Sequence, residues 1–325
     1  MKPAFIITID TEGDNLWSKP KNITTQNANY IERFQILCEK HGFKPTYLTN
    51  YEMTIDPVFQ DFGKTVIENR NGEIGAHIHA WNSPPIKKLT SDDFRYHPYL
   101  IDFDQDIIRA KIDYLTKLLE DVFQVKMKSH RAGRWAFNEI YARQLVEFGY
   151  KVDCSVTPYI SWKNHLGDPE KNGGTNYTDF PSHPYFVNLD NIKKPGTSGL
   201  LEVPMSVIHR GPQFVKNKIN NTSNKSFISR VYHKIFPVTM LRPGKYPIED
   251  LLALVQRAVD KKYDHLEFML HSSEFMPGGS PVFKSEKAIE ELFSDINILF
   301  AQIAKHFTGM TLHEYYKQFS KARND

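Results

Sequence analysis

The stretch Glu73-Ile74-Gly75-Ala76-His77-Ile78-His79-Ala80-Trp81 is a short apolar run that ends in two histidines. In a strand, side chains alternate between faces, so residues two apart point the same way. His77 and His79 then share one space, and Ile78 faces the other side. Two imidazoles converging at a strand end begin a metal site. Two histidines satisfied by nearby groups at a strand–loop junction would leave the same pattern. The rest of the chain decides between these readings.

Outward from this stretch, apolar runs alternate with helical spacing. FIITI (5–9) has the nearly unbroken β-branched character of a buried strand. Residues 30–40 place Ile31, Phe34, Leu37 and Cys38 at helical intervals and stop before Gly42. PTYLT (45–49) reads as a strand, 58–70 as a helix and 73–79 as the third strand. A loop rich in Pro and Tyr (80–100) leads to a helix at 104–123 and a short strand at 126–130. Asn138 caps a helix that runs to Phe148. Strands follow at 151–155 and 200–203, then a helix at 250–259. HLEFML (265–270) is a late strand, and 285–307 a long helix with a short strand and helix behind it. Such alternation predicts a parallel sheet with helical crossovers. With about seven repeats and no break in composition, one closed barrel covering 1–325 is expected. The long irregular stretches 157–200 and 205–248 are expected to shape a binding site.

The composition excludes several classes. A net charge of +3 is too small to argue for nucleic acid. Cys38 and Cys154 give neither a disulfide framework nor a cysteine metal motif. No apolar run is long enough to span a bilayer, and the N-terminal run reads as a strand, not a signal peptide. A cytoplasmic protein is expected.

In a barrel of this kind the active site lies at the C-terminal ends of the strands. The ends here carry Asp10 and Glu12, His77 and His79, Arg131, Asp153, and His271 with Glu274. Asp10 and Glu12 again stand two apart. Two carboxylates beside two imidazoles fit a divalent ion, with one carboxylate left to act as general base on water. Alone, Asp10 would be a turn or capping residue and Glu12 a solvated charge. Arg131, next to Ala132-Gly133, can hold a carboxylate in place and depress its pKa; otherwise it is a surface ion pair. His271 leaves a buried strand at the mouth. It suits a general acid for a departing amine, or equally a structural histidine bonded to Glu274.

Five segments together carry a family resemblance: TIDTEGD (8–14), EIGAHIHAW (73–81), SHRAGRW (129–135), GYKVDCSVTP (149–158) and MLHSSEFMPGGSP (269–281). In this order they resemble the polysaccharide deacetylase (NodB-homology) family over 5–281. The resemblance implies an α/β fold, a distorted (β/α)7 TIM-like barrel with long loop insertions. It also implies metal-dependent removal of N-acetyl groups from a sugar unit of a polysaccharide or of its lipid- or nucleotide-linked precursor. The family's first motif is a pair of adjacent Asp residues. Here the base maps to Asp10 and the ligand to Glu12, the reverse being the alternative. The family's two histidines four apart on a helix are matched by His77 alone, because Trp81 stands in the second place. His79 is then the second ligand. Arg131 matches the arginine that steadies the base, and His271 the late histidine. The implied ion is Zn²⁺ on Glu12, His77 and His79. Trp81, Trp135 and Trp162, with Glu274, are the expected substrate-binding residues.

Two other functions fit the same residues. One is hydrolysis of a small cyclic amide or ureido compound on the same barrel. The other is non-catalytic glycan binding at a degenerate site. The insertion at about 205–248 has no acidic residue and holds Arg210, Lys216, Lys218, Lys225, Arg230, Lys234, Arg242 and Lys245. It would attract phosphate groups. Phe227, Ile228, Val231 and Tyr232 are interleaved there, so peripheral membrane contact is a further expectation. A solvated insertion with no ligand is the plain alternative.

Overall fold

Strand β1 (Ala4–Thr11) is buried along its whole length, and its two faces differ in kind. Phe5, Ile7 and Ile9 pack outward into the large apolar core, whereas Ala4 and Ile6 join a second, smaller core. Continuing along the second face come Thr8, Asp10 and Glu12, all buried. One side of one strand therefore grades from apolar to hydroxyl to carboxylate toward its C-terminal end. That gradient brings the β1 carboxylates to the C-terminal end of the strand, level with His271 of the neighbouring strand.

The computed structural model describes residues 2–171, 173–209, 238–244 and 246–324. Beside β1 lie β2 (Pro45–Thr49), β3 (Glu73–Ile78), β4 (Ser129–Ala132), β5 (Val152–Asp153), β7 (Leu201–Glu202) and β10 (His265–His271). These seven strands are parallel, in the order β10-β1-β2-β3-β4-β5-β7. Strand β6 (Tyr185–Phe186) adds antiparallel to β7, and β11 (Thr308–Met310) pairs with β1. The hairpin of β8 (Val207–His209) and β9 (Val238–Met240) stands beside the sheet. The gap between β7 and β10 is bridged by loop contacts. Glu267 N donates to Ser206 Oγ at 2.8 Å, and Met269 N donates to the Leu241 carbonyl at 3.4 Å. The result is a curled mixed α/β sheet, a distorted (β/α)7 barrel.

Crossover helices cover the outside. They are α1 (Ile31–Lys40), α3 (Pro57–Asn69), α5 (Gln105–Phe123) and α6 (Glu139–Glu147), with the four-residue α2 (Tyr51–Thr54) and α4 (Asp93–Tyr96) between them. Later come α7 (Ile248–Asp260), α8 (Glu286–Ile303) and α9 (Leu312–Asn324). Helix α5 buries Ile108, Ile112, Leu115, Leu119 and Phe123, one helical stripe facing the sheet. Asp56, Asn138 and Ser285 cap α3, α6 and α8 through their side chains. Leu312 and Tyr315 of α9 pack with Ala4, Ile6, Leu48 and Val152 and so plug the end of the barrel opposite the mouth. Among the described residues no helix is long and apolar enough to cross a membrane.

Several boundaries differ from the expectation. Strand β4 begins and ends later than 126–130, which brings Arg131 inside the sheet. Strand β5 shrinks to two residues. Most of the basic insertion, including its interleaved apolar residues, lies outside the described residues; Arg242 lies within them.

Candidate active site

The site is built from the ends of β1, β3, β4 and β10. In the sheet register Asp10 sits level with His271, and His77 with Arg131. Arg131 is fully buried and carries the polar row beneath the mouth. Its Nη1 donates to Asp10 Oδ1 at 2.5 Å. Its Nη2 donates to Thr8 Oγ1 at 2.7 Å and Glu267 Oε1 at 2.5 Å, and its Nε to the Cys154 carbonyl at 3.2 Å. One guanidinium thus faces two carboxylates. Burial alone would raise the Asp10 pKa, but Arg131, His77 and His271 outweigh it and hold the carboxyl below the ordinary value. Glu267 goes the other way. Its Oε2 has no hydrogen-bond partner among the described residues, and burial pushes its pKa up to about 7 despite Arg131. Near neutral pH the guanidinium therefore faces Asp10 as a full charge and Glu267 close to the midpoint of its own titration.

His77 and His79 meet Glu12 above this row. His77 Nδ1–H donates to the Arg131 carbonyl at 3.0 Å, which leaves its Nε2 lone pair facing the cleft. That Nε2 lies 3.0 Å from His79 Nε2 and 3.6 Å from Glu12 Oε2, and His79 Nε2 lies 3.3 Å from the same oxygen. The three ligand atoms fall within 4.8 Å of one another. Burial, then His77, holds His79 well below the usual imidazole range, so it is neutral. For His77 the burial effect is outweighed by Asp10 and Glu12, and its pKa rises. Two imidazole nitrogens 3.0 Å apart beside a carboxylate share a proton when no cation stands between them, and both lone pairs become available when one does. A Glu-His-His donor set fits a divalent ion. The cluster is thus able to hold a metal.

Among the described residues nothing hydrogen-bonds to His79 Nδ1, which is buried. The ring is held by stacking instead. Trp81 lies on it at 4.3 Å and 18°, and His97 lies on the far face of Trp81 at 4.0 Å and 6°. Trp81 was expected as an open sugar-facing wall; it is buried within this three-ring column and only borders the cleft. Trp135, over Arg131 at 4.7 Å, and Trp162, bonded through Nε1 to Thr157, are half-buried and line the same cleft. Glu274 is buried and engaged. It accepts from Arg242 Nη2 at 2.8 and 2.9 Å, from the His271 backbone N–H at 2.9 Å, and lies 3.1 Å from His271 Nδ1. Burial would raise its pKa, but Arg242 and His271 bring it down to about 2. His271 Nε2 then faces Asp10 Oδ2 at 3.8 Å and Glu12 Oε1 at 3.9 Å.

These groups line a cleft of about 560 Å³. Arg242, from the basic insertion, lines it, as do residues that the sequence reading did not single out, among them Trp17, Lys19, His97, Tyr99 and Arg134. Trp17 packs edge-on against His271 at 4.7 Å. Arg134 and Trp135 are consecutive non-glycine residues with φ of 55° and 60°. Such left-handed backbone costs about 1–2 kcal/mol per residue, and here it turns two cleft residues inward.

Known structures share this architecture. A protein assigned as a polysaccharide deacetylase of Mycobacterium smegmatis superposes with a TM-score of 0.55 at 12% identity, over 99% of this chain and 92% of that one. A protein assigned as a glycoside hydrolase/deacetylase of Parabacteroides distasonis does so with a TM-score of 0.58 at 10% identity, over 98% of this chain and 72% of that one. The fold is that of the polysaccharide deacetylases. At such identities the likeness speaks for the fold alone. No protein-family model matches the sequence. No curated protein matches it either. Within the polysaccharide deacetylase fold, the roles of individual residues therefore rest on the geometry above.

Proposed function

We propose that the chain is a metal-dependent carbohydrate deacetylase that removes an N-acetyl group from a sugar unit. The observation that carries this is the convergence of Glu12, His77 and His79 in a cleft that also presents Asp10, on Arg131, and His271, on Glu274. A glycan-binding site would need neither the carboxylate nor the imidazole in these positions.

Glu12 Oε2, His77 Nε2 and His79 Nε2 would hold the ion, and the donor set suits zinc. Such an ion, when bound, activates water and polarises the acetyl carbonyl. Asp10 presents one committed oxygen and one open oxygen. Oδ1 is fixed by Arg131, which keeps the group ionised and aimed. Oδ2 receives the proton of the attacking water. His271 is oriented from behind, where its Nδ1 meets the Glu274 carboxylate. Its protonated form presents Nε2–H to the cleft and delivers that proton to the departing nitrogen. Trp135 and Trp162 offer aromatic faces to a sugar ring. Both cysteines are buried and unpaired, which suits a reducing compartment.

The test is metal content and turnover together. Purified wild-type protein is expected to carry about one equivalent of zinc by elemental analysis and to release acetate from N-acetyl sugars. His77→Ala and His79→Ala should lose both while keeping the wild-type circular dichroism spectrum. Full zinc and full turnover in both variants would place the centre elsewhere.

A further inference from the structure

The cleft is polarised. Its carboxylates, Asp10, Glu12 and Glu274, gather at the metal-competent end, and Glu274 is already paired with Arg242. Beyond the Trp81 column the lining changes sign, with Lys19 and Arg134. Neither cation meets a carboxylate within ion-pair distance among the described residues. Lys19 Nζ donates to the Arg95 carbonyl at 2.6 Å. Arg134 donates to the His97 carbonyl and, at 3.2 Å, to the Leu166 carbonyl. An ammonium has three N–H donors and a guanidinium five, so both keep donors to spare. The carboxylate that acts on Arg134 from nearby, Asp102, caps its own turn at Tyr99 N. Both cations also act on one imidazole. Burial, then Arg134, then Lys19, bring His97 down to about 4, so it stays neutral and adds no third positive charge.

The backbone is bent to serve this corner. Lys19, His97, Arg134 and Trp135 all have φ between 50° and 60°, and none is glycine. Lys19 and His97 close short helical turns. Arg134 and Trp135 lie within a single short turn that no helix requires to be left-handed. Opposite them stands Gly167, where an added Cβ would lie 3.1 Å from Arg134 Nη1 and 2.9 Å from Tyr99. The covering loop thus makes room for the guanidinium. Backbone strain of this kind collects at ligand clamps.

We propose that Lys19 and Arg134 form an anion subsite, and that the N-acetyl sugar taken by this cleft carries a phosphate ester or a carboxylate one ring away from its acetamide. The inference rests on the deacetylase reading for the identity of the sugar. The cations lie at the far end of the His79–Trp81–His97 column from the metal-competent cluster: the column spans two ring-stacking steps, 4.3 and 4.0 Å, and Arg134 meets the His97 carbonyl at its end. An acetamide at the carboxylate end then leaves the far substituent against the cations. Fork-shaped and point-like donors together match a phosphate or carboxylate oxygen set.

The experiment uses three probes: N-acetylglucosamine, its 6-phosphate and N-acetylglucosaminuronic acid, whose anions stand across the ring from the acetamide. Acetate release gives kcat/KM, and calorimetry gives Kd independently of turnover. The wild type should prefer the charged sugars, and whichever of the two is preferred names the anion. Lys19→Gln and Arg134→Gln should each lower the charged-to-neutral ratio of kcat/KM by about tenfold. Arg134→Lys should restore part of it, and added salt should lower the wild-type ratio in the same direction. Lys19 is exposed, so its variant tests the idea even if Arg134→Gln fails to fold. Deacetylation with equal ratios in wild type and Lys19→Gln would overturn the subsite and leave the deacetylase standing. Charge-dependent binding that both variants lose, with no acetate released from any sugar, would leave the subsite standing without the deacetylase. Neither binding nor turnover of any of the three sugars would overturn both.

Discussion

His79 is held in place by a ring where most metal-binding histidines are held by a hydrogen bond. Its Nδ1 has no partner among the described residues, and Trp81 covers its face with His97 behind. Trp81→Leu should therefore free the imidazole and weaken zinc binding by roughly 10–100-fold, measured by competition with a chelator. Trp81→Phe should keep most of the affinity, since it keeps an aromatic face. Unchanged affinity in Trp81→Leu, with the fold intact, would remove Trp81 from this role. Asp10 is argued the same way. Asp10→Asn should retain the metal and lower kcat far more than it changes KM. Loss of zinc from Asp10→Asn and retention in Glu12→Gln would reverse the two assignments. The paired residues at the strand ends were legible because a period of two aims them together. Lys19, His97 and Arg134 were not, because three separate loops bring them to one corner and no local periodicity records that meeting.

At the scale of elements, β3 and the turn after β4 fit together through a missing side chain. A Cβ on Gly133 would lie 2.3 Å from the Ile78 carbonyl oxygen and 2.6 Å from His79 Cδ2. Both contacts are below van der Waals distance, so Gly133→Ala must push the end of β3 aside. The expected outcome is loss of zinc affinity with little change in the circular dichroism spectrum. Full affinity in Gly133→Ala would mean the turn relaxes without moving His79. The strands with strong apolar runs, β1, β2, β3 and β10, were read from sequence nearly to the residue. Strand β6 and the β8–β9 hairpin were not seen. They are two or three residues long and exist only through cross-strand partners. The boundary of β4 slipped for a related reason: Arg131 looks like a loop residue until its buried partners are known.

At the scale of the molecule, the barrel interior is layered. Apolar residues on α9 and the strand starts close one end, the cleft opens at the other, and a buried polar layer lies between. That layer contains Arg131 with Glu267, His130 with Asp153 at 2.6 Å, and Glu202 bonded to Val156 N. The single acidic letter inside HLEFML was its trace in the sequence. Such a layer fixes register and orientation, and it makes stability depend on pH. In the fold Glu267 protonates at about 7, whereas in an unfolded chain a glutamate does so near ~4.3. The folded state binds this proton more tightly. The contribution is therefore complete below the unfolded value and is lost as pH rises through about 7. Glu267→Gln keeps an acceptor for Arg131 and Thr8 but cannot ionise. Its unfolding free energy should exceed that of the wild type at pH 8 by on the order of 2–4 kcal/mol. The gap should shrink through the window between the two values. Glu202 and His77, whose folded values are also raised, tilt the wild-type curve in the same direction. His77 is common to both proteins and cancels in the difference, whereas Glu202, raised in part by the Glu267 charge, shifts somewhat less in Glu267→Gln. Urea unfolding of the two proteins across this pH range gives that difference directly. Parallel curves would mean that Glu267 is ionised beside Arg131 throughout, and that one guanidinium serves both Asp10 and Glu267 as full charges.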